Sequence, residues 1–174
     1  MTQNCIAEFE TDYGPFSMEL MHGVAPVTAG YFKALIEVGA FDGSSIFRIV
    51  GKDNVECRPD HPIEVVQGGL KAGDNQPVAP IAHEPTSQTG IQHIKWTVSA
   101  ARFDPGETYG SFFICMADTP SLDEGGERHS DGHGFAGFGR IVSGFNVLGA
   151  IFVHREASEM LEVEIPIHRA RIVK

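Results

Sequence analysis

Two polar side chains stand alone where the chain is otherwise apolar. Arg48 lies inside Phe41-Asp42-Gly43-Ser44-Ser45-Ile46-Phe47-Arg48-Ile49-Val50, and Gln67 closes Val65-Val66-Gln67 ahead of Gly68-Gly69. A guanidinium is always protonated and cannot lose its donors. Taken singly each residue has an ordinary reading, a snorkelling surface Arg and a polar loop Gln. A second constellation is His129, Asp131 and His133, an H-x-D-x-H run. In an extended segment these three would face one way, as ligands of a first-row metal do. A Gly-rich loop with two His and one Asp also reads as solvated surface, and no further His or Cys lies close by to complete a zinc site. We therefore expect no metal and no cofactor. G-x-S-x-G, the Walker loop and H-E-x-x-H are all missing from the sequence, which disfavours covalent hydrolysis.

These residues need a scaffold, and 174 residues suffice for one compact domain spanning 1–174. Ala7 and Phe9, the turn Asp12-Tyr13-Gly14-Pro15, and Phe16, Met18 and Leu20 at period two predict an N-terminal hairpin. Ala25-Pro26 opens a helix with Phe32, Leu35 and Ile36 on one face and Gly39 as its stop. A second helix is predicted over 145–152. Short β-rich runs follow at 45–50, 63–67, 97–101, 112–116, 138–142 and 164–173, with Pro166 marking an edge or a strand start in the last. Two helices among about eight short strands do not form a βαβ series, so the pattern favours a mainly β, antiparallel barrel covered by helices. The irregular stretches 70–92 and 117–134 are long enough to frame a site.

The charge, 13 Lys and Arg against 23 Asp and Glu, is −10, which repels nucleic acid and anionic membranes. No apolar run is long enough to span a bilayer, and the N-terminus reads as unexported. Cys5, Cys57 and Cys115 are odd in number and far apart, so we expect no disulfide framework and a reducing, cytoplasmic setting.

Taken in order, the segments resemble the cyclophilin family of peptidyl-prolyl isomerases. The matching pieces are Thr11-Asp12-Tyr13-Gly14, Ala25-Pro26-Val27-Thr28-Ala29, the run around Arg48, Val66-Gln67-Gly68-Gly69, Pro80-Ile81 with Glu84, Thr97 to Arg102, Phe112-Phe113-Ile114-Cys115, Leu122-Asp123 and Phe138 to Gly144. They cover nearly the whole chain and look more like bacterial members between 80 and 102. The resemblance implies a closed eight-stranded antiparallel barrel capped by two α-helices, with its active groove on the outside. It implies Arg48 as the catalytic guanidinium with Gln67 and Phe113 beside it. Val65, Ala101, Ser111, Leu122 and Phe135 would bind substrate, and the partners would be Pro-containing polypeptides; the sequence does not fix the oligomeric state, for which we expect a monomer. The alternative is a weakly active or inactive module of the same fold that binds Pro-containing segments of a partner protein. Departures from the family pattern are Ser111 where most members carry Gln, Glu64 and Val65 where they have Phe and Met, Phe47 for a common His, and Ser121 for a common Trp. Glu64 is accordingly expected to sit beside the proline pocket and to favour Lys or Arg flanking the proline.

Overall fold

The computed structural model describes residues 3–174. Its strands are β1 (Cys5–Thr11), β2 (Gly14–Leu20), β3 (Ser44–Val50), β4 (Val65–Gly69), β5 (Thr97–Arg102), β6 (Thr108–Cys115), β7 (Ala136–Ser143) and β8 (Met160–Ile172). They close in the order β1-β2-β7-β5-β6-β4-β3-β8. Every neighbouring pair is antiparallel. Helix α1 (Pro26–Glu37) follows the hairpin and α3 (Phe145–Val153) follows β7. A third, one-turn helix, α2 (Thr86–Thr89), lies in the long 70–92 connection in addition to the two predicted helices. Four residues carry no periodicity from which to predict it. Pro166 is not at an edge or a start: it lies inside β8, opposite Ser45 of β3. The β1 ladder ends at Ile167, so the proline stands where one flank of β8 has no further partner and its missing N–H costs nothing there.

The hairpin closes as its turn chemistry requires. Gly14 has φ +112°, and Thr11 Oγ1 donates to Gly14 O at 2.8 Å while accepting from Tyr13 N at 3.1 Å. The barrel interior is filled by rings. Phe9, Phe16, Phe32, Phe41, Phe112 and Phe138 are all fully buried, and Phe32 of α1 stacks on Phe138 with centroids 4.1 Å apart.

Strand β3 departs from simple alternation at the residue that matters most. Ile46 pairs with Gly68 and Arg48 with Gln67, leaving Phe47 as an extra residue in the ladder. In a regular strand Ile46 and Arg48 would share a face. The bulge instead places Ile46 and Ile49 in the core and turns Arg48 out beside Gln67.

Helix α1 has no local side-chain cap: its N-cap is Ala25. Glu84, buried and 56 positions away from Thr28, supplies one, accepting from Thr28 N and Thr28 Oγ1 at 2.6 Å each and from Val27 N at 3.3 Å. A carboxylate there satisfies orphan donors and complements the positive end of the helix dipole. It also ties the long 70–92 connection to the barrel cover. Glu84→Ala should therefore lower stability by about 2–3 kcal/mol, the range for a charge-assisted bond lost from a buried donor, with Glu84→Gln intermediate. Urea unfolding monitored by far-UV circular dichroism checks the order; equal midpoints for the three proteins would contradict the capping role.

Candidate active site

Outside the filled interior, a second apolar cluster forms from Val50, Ile63, Val65, Phe113, Cys115 and Leu122, with Val55 and Phe135 packed against it. Alternation explains its composition: Val66, Phe112 and Ile114 point into the barrel, so Val65 and Phe113 point out. This cluster floors a cavity of about 180 Å³, far above the ~10–15 Å³ that one water requires. Arg48, Gln67, Val65, Ala101, Phe113, Leu122 and Phe135 line it together, although they come from six separate stretches of chain. Ile63, Cys57, Arg102, Tyr109, Arg128 and His129 complete the lining.

Arg48 is held from two sides. Its Nη1 donates to Gln67 Oε1 at 3.0 Å, and its Nε and Nη2 donate to Glu159 Oε2 at 3.2 and 2.7 Å. The other carboxylate oxygen of Glu159 accepts from the backbone N–H groups of Glu56 and Cys57 at 2.8 and 3.1 Å. Burial alone would raise the Glu159 pKa, but the bonds from Arg48 and those two amides outweigh it and hold the carboxyl below its ordinary value. Gln67 is oriented in turn: its Nε2 donates to Ser111 Oγ at 2.9 Å, and Ser111 Oγ reaches Gly68 O at 3.3 Å. The amide nitrogen is thus committed to Ser111 and the amide oxygen to Arg48.

Ser111 therefore does not line this cavity. It is fully buried behind Gln67, because Phe112 points inward and Ser111 occupies the outer face beneath the glutamine. Glu64 is also displaced from its expected place. Alternation between Ile63 and Val65, which both line the cavity, turns Glu64 away, and its carboxylate lies 3.8 Å from Lys52 Nζ. The expected preference for basic flanks loses its basis. Ser121 does not line the cavity either; its hydroxyl is buried without a partner among the described residues.

The far wall is built by Arg102. Its Nε and Nη2 donate to Gly134 O at 3.0 and 2.6 Å, and its Nη1 and Nη2 donate to the Asp131 carboxylate at 2.9 and 3.1 Å. The guanidinium also lies over the Phe135 ring at 4.9 Å, and that ring meets Phe113 edge-on at 5.5 Å. Burial opposes ionisation of Asp131, but the Arg102 bonds and the His133 amide bring its pKa down to about 2. The H-x-D-x-H run is accordingly a structural loop in which Asp131 is spent on a guanidinium. A cation on that carboxylate would face Arg102, and no cluster of three ligating residues occurs among the described residues.

Behind Phe113, His93 Nδ1 bonds Asp123 Oδ1 at 2.7 Å and His93 Nε2 meets Ser99 Oγ at 2.8 Å, with the imidazole stacked 6.1 Å from the Phe113 ring. These distances match a Ser-His-Asp triad. Ser99 is wholly buried and absent from the cavity wall, so no carbonyl can reach its oxygen and the network serves to pin Phe113.

Sequence reasoning missed Glu159, Tyr109 and Arg128. Glu159 meets Arg48 across 111 positions, and nothing local in Ala157-Ser158-Glu159-Met160 announces it. Tyr109, whose hydroxyl pKa is raised by burial, is a neutral polar edge of the cavity.

Comparison with known proteins agrees with this geometry. Residues 6–172 match the family model described as cyclophilin type peptidyl-prolyl cis-trans isomerase/CLD. A peptidyl-prolyl cis-trans isomerase of Streptomyces antibioticus is 29% identical over 164 residues, covering 92% of this chain and 90% of that protein. One from Schizosaccharomyces pombe is 29% identical over 175 residues, covering 96% and 95%. A cyclophilin type isomerase of Cryptosporidium parvum, crystallised in the presence of the dipeptide Ala-Pro, superposes with a TM-score of 0.76 over 99% of both chains at 19% identity, which speaks to the fold. A filled antiparallel barrel, an arginine-bearing groove on its outer wall and a family match across nearly the whole chain lead to one conclusion: this chain belongs to the cyclophilin type peptidyl-prolyl cis-trans isomerases.

Proposed function

We propose that the groove around Arg48 catalyses cis-trans isomerisation of X-Pro bonds in polypeptides, with Val65, Phe113, Leu122 and Phe135 seating the pyrrolidine ring. The observation that carries this reading is the placement of a twice-held guanidinium at the rim of an apolar cavity. Rotation about an X-Pro bond breaks amide resonance, and in an ordinary peptide the barrier is ~18–20 kcal/mol. At the twisted transition state the proline nitrogen regains a lone pair. A donor aimed at that nitrogen favours the twisted state over either planar one, which is the differential stabilisation catalysis requires. Arg48 suits the task because it keeps its protons, and the apolar floor both fixes the ring and strengthens the electrostatic contact. Glu159 and Gln67 act through Arg48 as positioning residues, limiting its rotamers before substrate arrives. No covalent step and no general base enters. The free thiols suit folding polypeptides in a reducing cytoplasm.

Arg48→Ala should lower kcat/KM by ~10²–10³, the usual cost of one donor used in the transition state. Exchange spectroscopy on a proline peptide measures this without a coupling protease; undiminished turnover in a folded variant would remove Arg48 from the mechanism. Glu159→Gln should give a smaller loss, up to about 10²-fold, through misplacement of the guanidinium. The pH dependence distinguishes its role. Because the folded-state pKa of Glu159 is depressed, its anionic form persists as pH falls through the ordinary glutamate range and is lost only below it. Wild-type kcat/KM should thus stay level down to about pH 4.3, the unperturbed glutamate value, and fall below it, whereas Glu159→Gln should show no such fall. Parallel profiles for the two proteins would exclude an orienting role for Glu159.

A further inference from the structure

Three arginines and no carboxylate line the cavity of a chain whose net charge is −10. Two of the three are neutralised from behind, Arg48 by Glu159 and Arg102 by Asp131. Arg128 is not. It is only 7% exposed, yet no carboxylate lies within ion-pair distance of it among the described residues. Its Nη1 is occupied, donating to the carbonyl oxygens of Cys57, Arg58 and His61 at 2.5, 3.3 and 3.0 Å. Its Nε and Nη2 have no protein partner and are not sealed from solvent. Those two nitrogens form one edge of the guanidinium, the same edge with which Arg48 grips Glu159. That edge matches a carboxylate in bidentate geometry. Desolvation depresses the Arg128 pKa, and the more distant charge of Glu159 does not offset it.

The position of Arg128 ties it to the proline pocket. Its backbone N–H bonds Ser121 O at 3.1 Å, next to the wall residue Leu122, while its Nη1 clasps the 57–61 segment across the mouth of the groove. We infer that Arg128 is a specificity-determining residue that receives the carboxylate of an acidic residue adjacent to the substrate proline. This rests on the reading of the groove as the isomerase site. A partly desolvated cation gains more from an incoming anion than a solvated one does, because much of its desolvation cost has already been met on folding. The preference is the reverse of the one expected from Glu64, and it depends on a charge that lines the groove.

The test is kcat/KM, by exchange spectroscopy, for matched peptides carrying Glu or Gln immediately before the proline and, in a second pair, immediately after it. Wild type should favour Glu over Gln by about fivefold or more at one of these flanks, the effect of a contact worth ~1 kcal/mol. Arg128→Gln should bring that ratio to about one, and Arg128→Lys should retain part of it. The ratio is insensitive to a general loss of activity. A wild-type ratio of one or below at both flanks overturns the inference even if no variant folds, as does a ratio unchanged in folded Arg128→Gln. Failure to isomerise any of the four peptides would instead overturn the reading of the groove itself, and the inference with it.

Discussion

Closure of the barrel around six buried phenylalanines leaves no interior space for a ligand, and every functional feature of the molecule follows from being pushed to the outer wall. Close packing of this kind admits few voids larger than a water. The outward-facing half of β4 and β6 would be solvated in an open sheet. Here the 51–64 and 117–135 segments fold over it and convert one sheet face into a floor with walls. The core thus decides which side chains are available, and the connections decide which of those become a site.

Rigidity in the groove is achieved with polar chains anchored on backbone. Ser111 fixes Gln67, Gln67 and Glu159 fix Arg48, and two amides of the 51–64 connection fix Glu159. Arg102 does the same for Phe135 through Gly134 and Asp131. Such networks are stabilising only when each member is satisfied. Arg128 stands out because half of its guanidinium is satisfied and half is not. In a reaction that needs no nucleophile, the arrangement of fixed cations is the main variable a protein can adjust.

The sequence by itself determined the hairpin, the two longer helices and most strand cores, because period-two and period-3.6 patterns and turn residues such as Gly14 are local signals. Segment order carried the family resemblance, and with it Arg48, Val65, Gln67, Ala101, Phe113, Leu122 and Phe135 of the cavity lining. The tertiary structure decided what depends on distant chain meeting distant chain. Alternation alone would have put Arg48 on the face of Ile46, and only the bulge at Phe47, a matter of pairing with β4, turns it outward. Ser111 looked like a ligand contact until its neighbours in the sheet placed it beneath Gln67, and Pro166 looked like an edge until β8 proved long enough to serve two partners in turn. Glu159, Glu84 and Arg128 act on residues 111, 56 and about 70 positions away, and electrostatic partnership across such separations leaves no periodic trace. Charge pairing is a property of positions in space, so a chain can announce which charges it has while only its fold decides which of them remain unpaired.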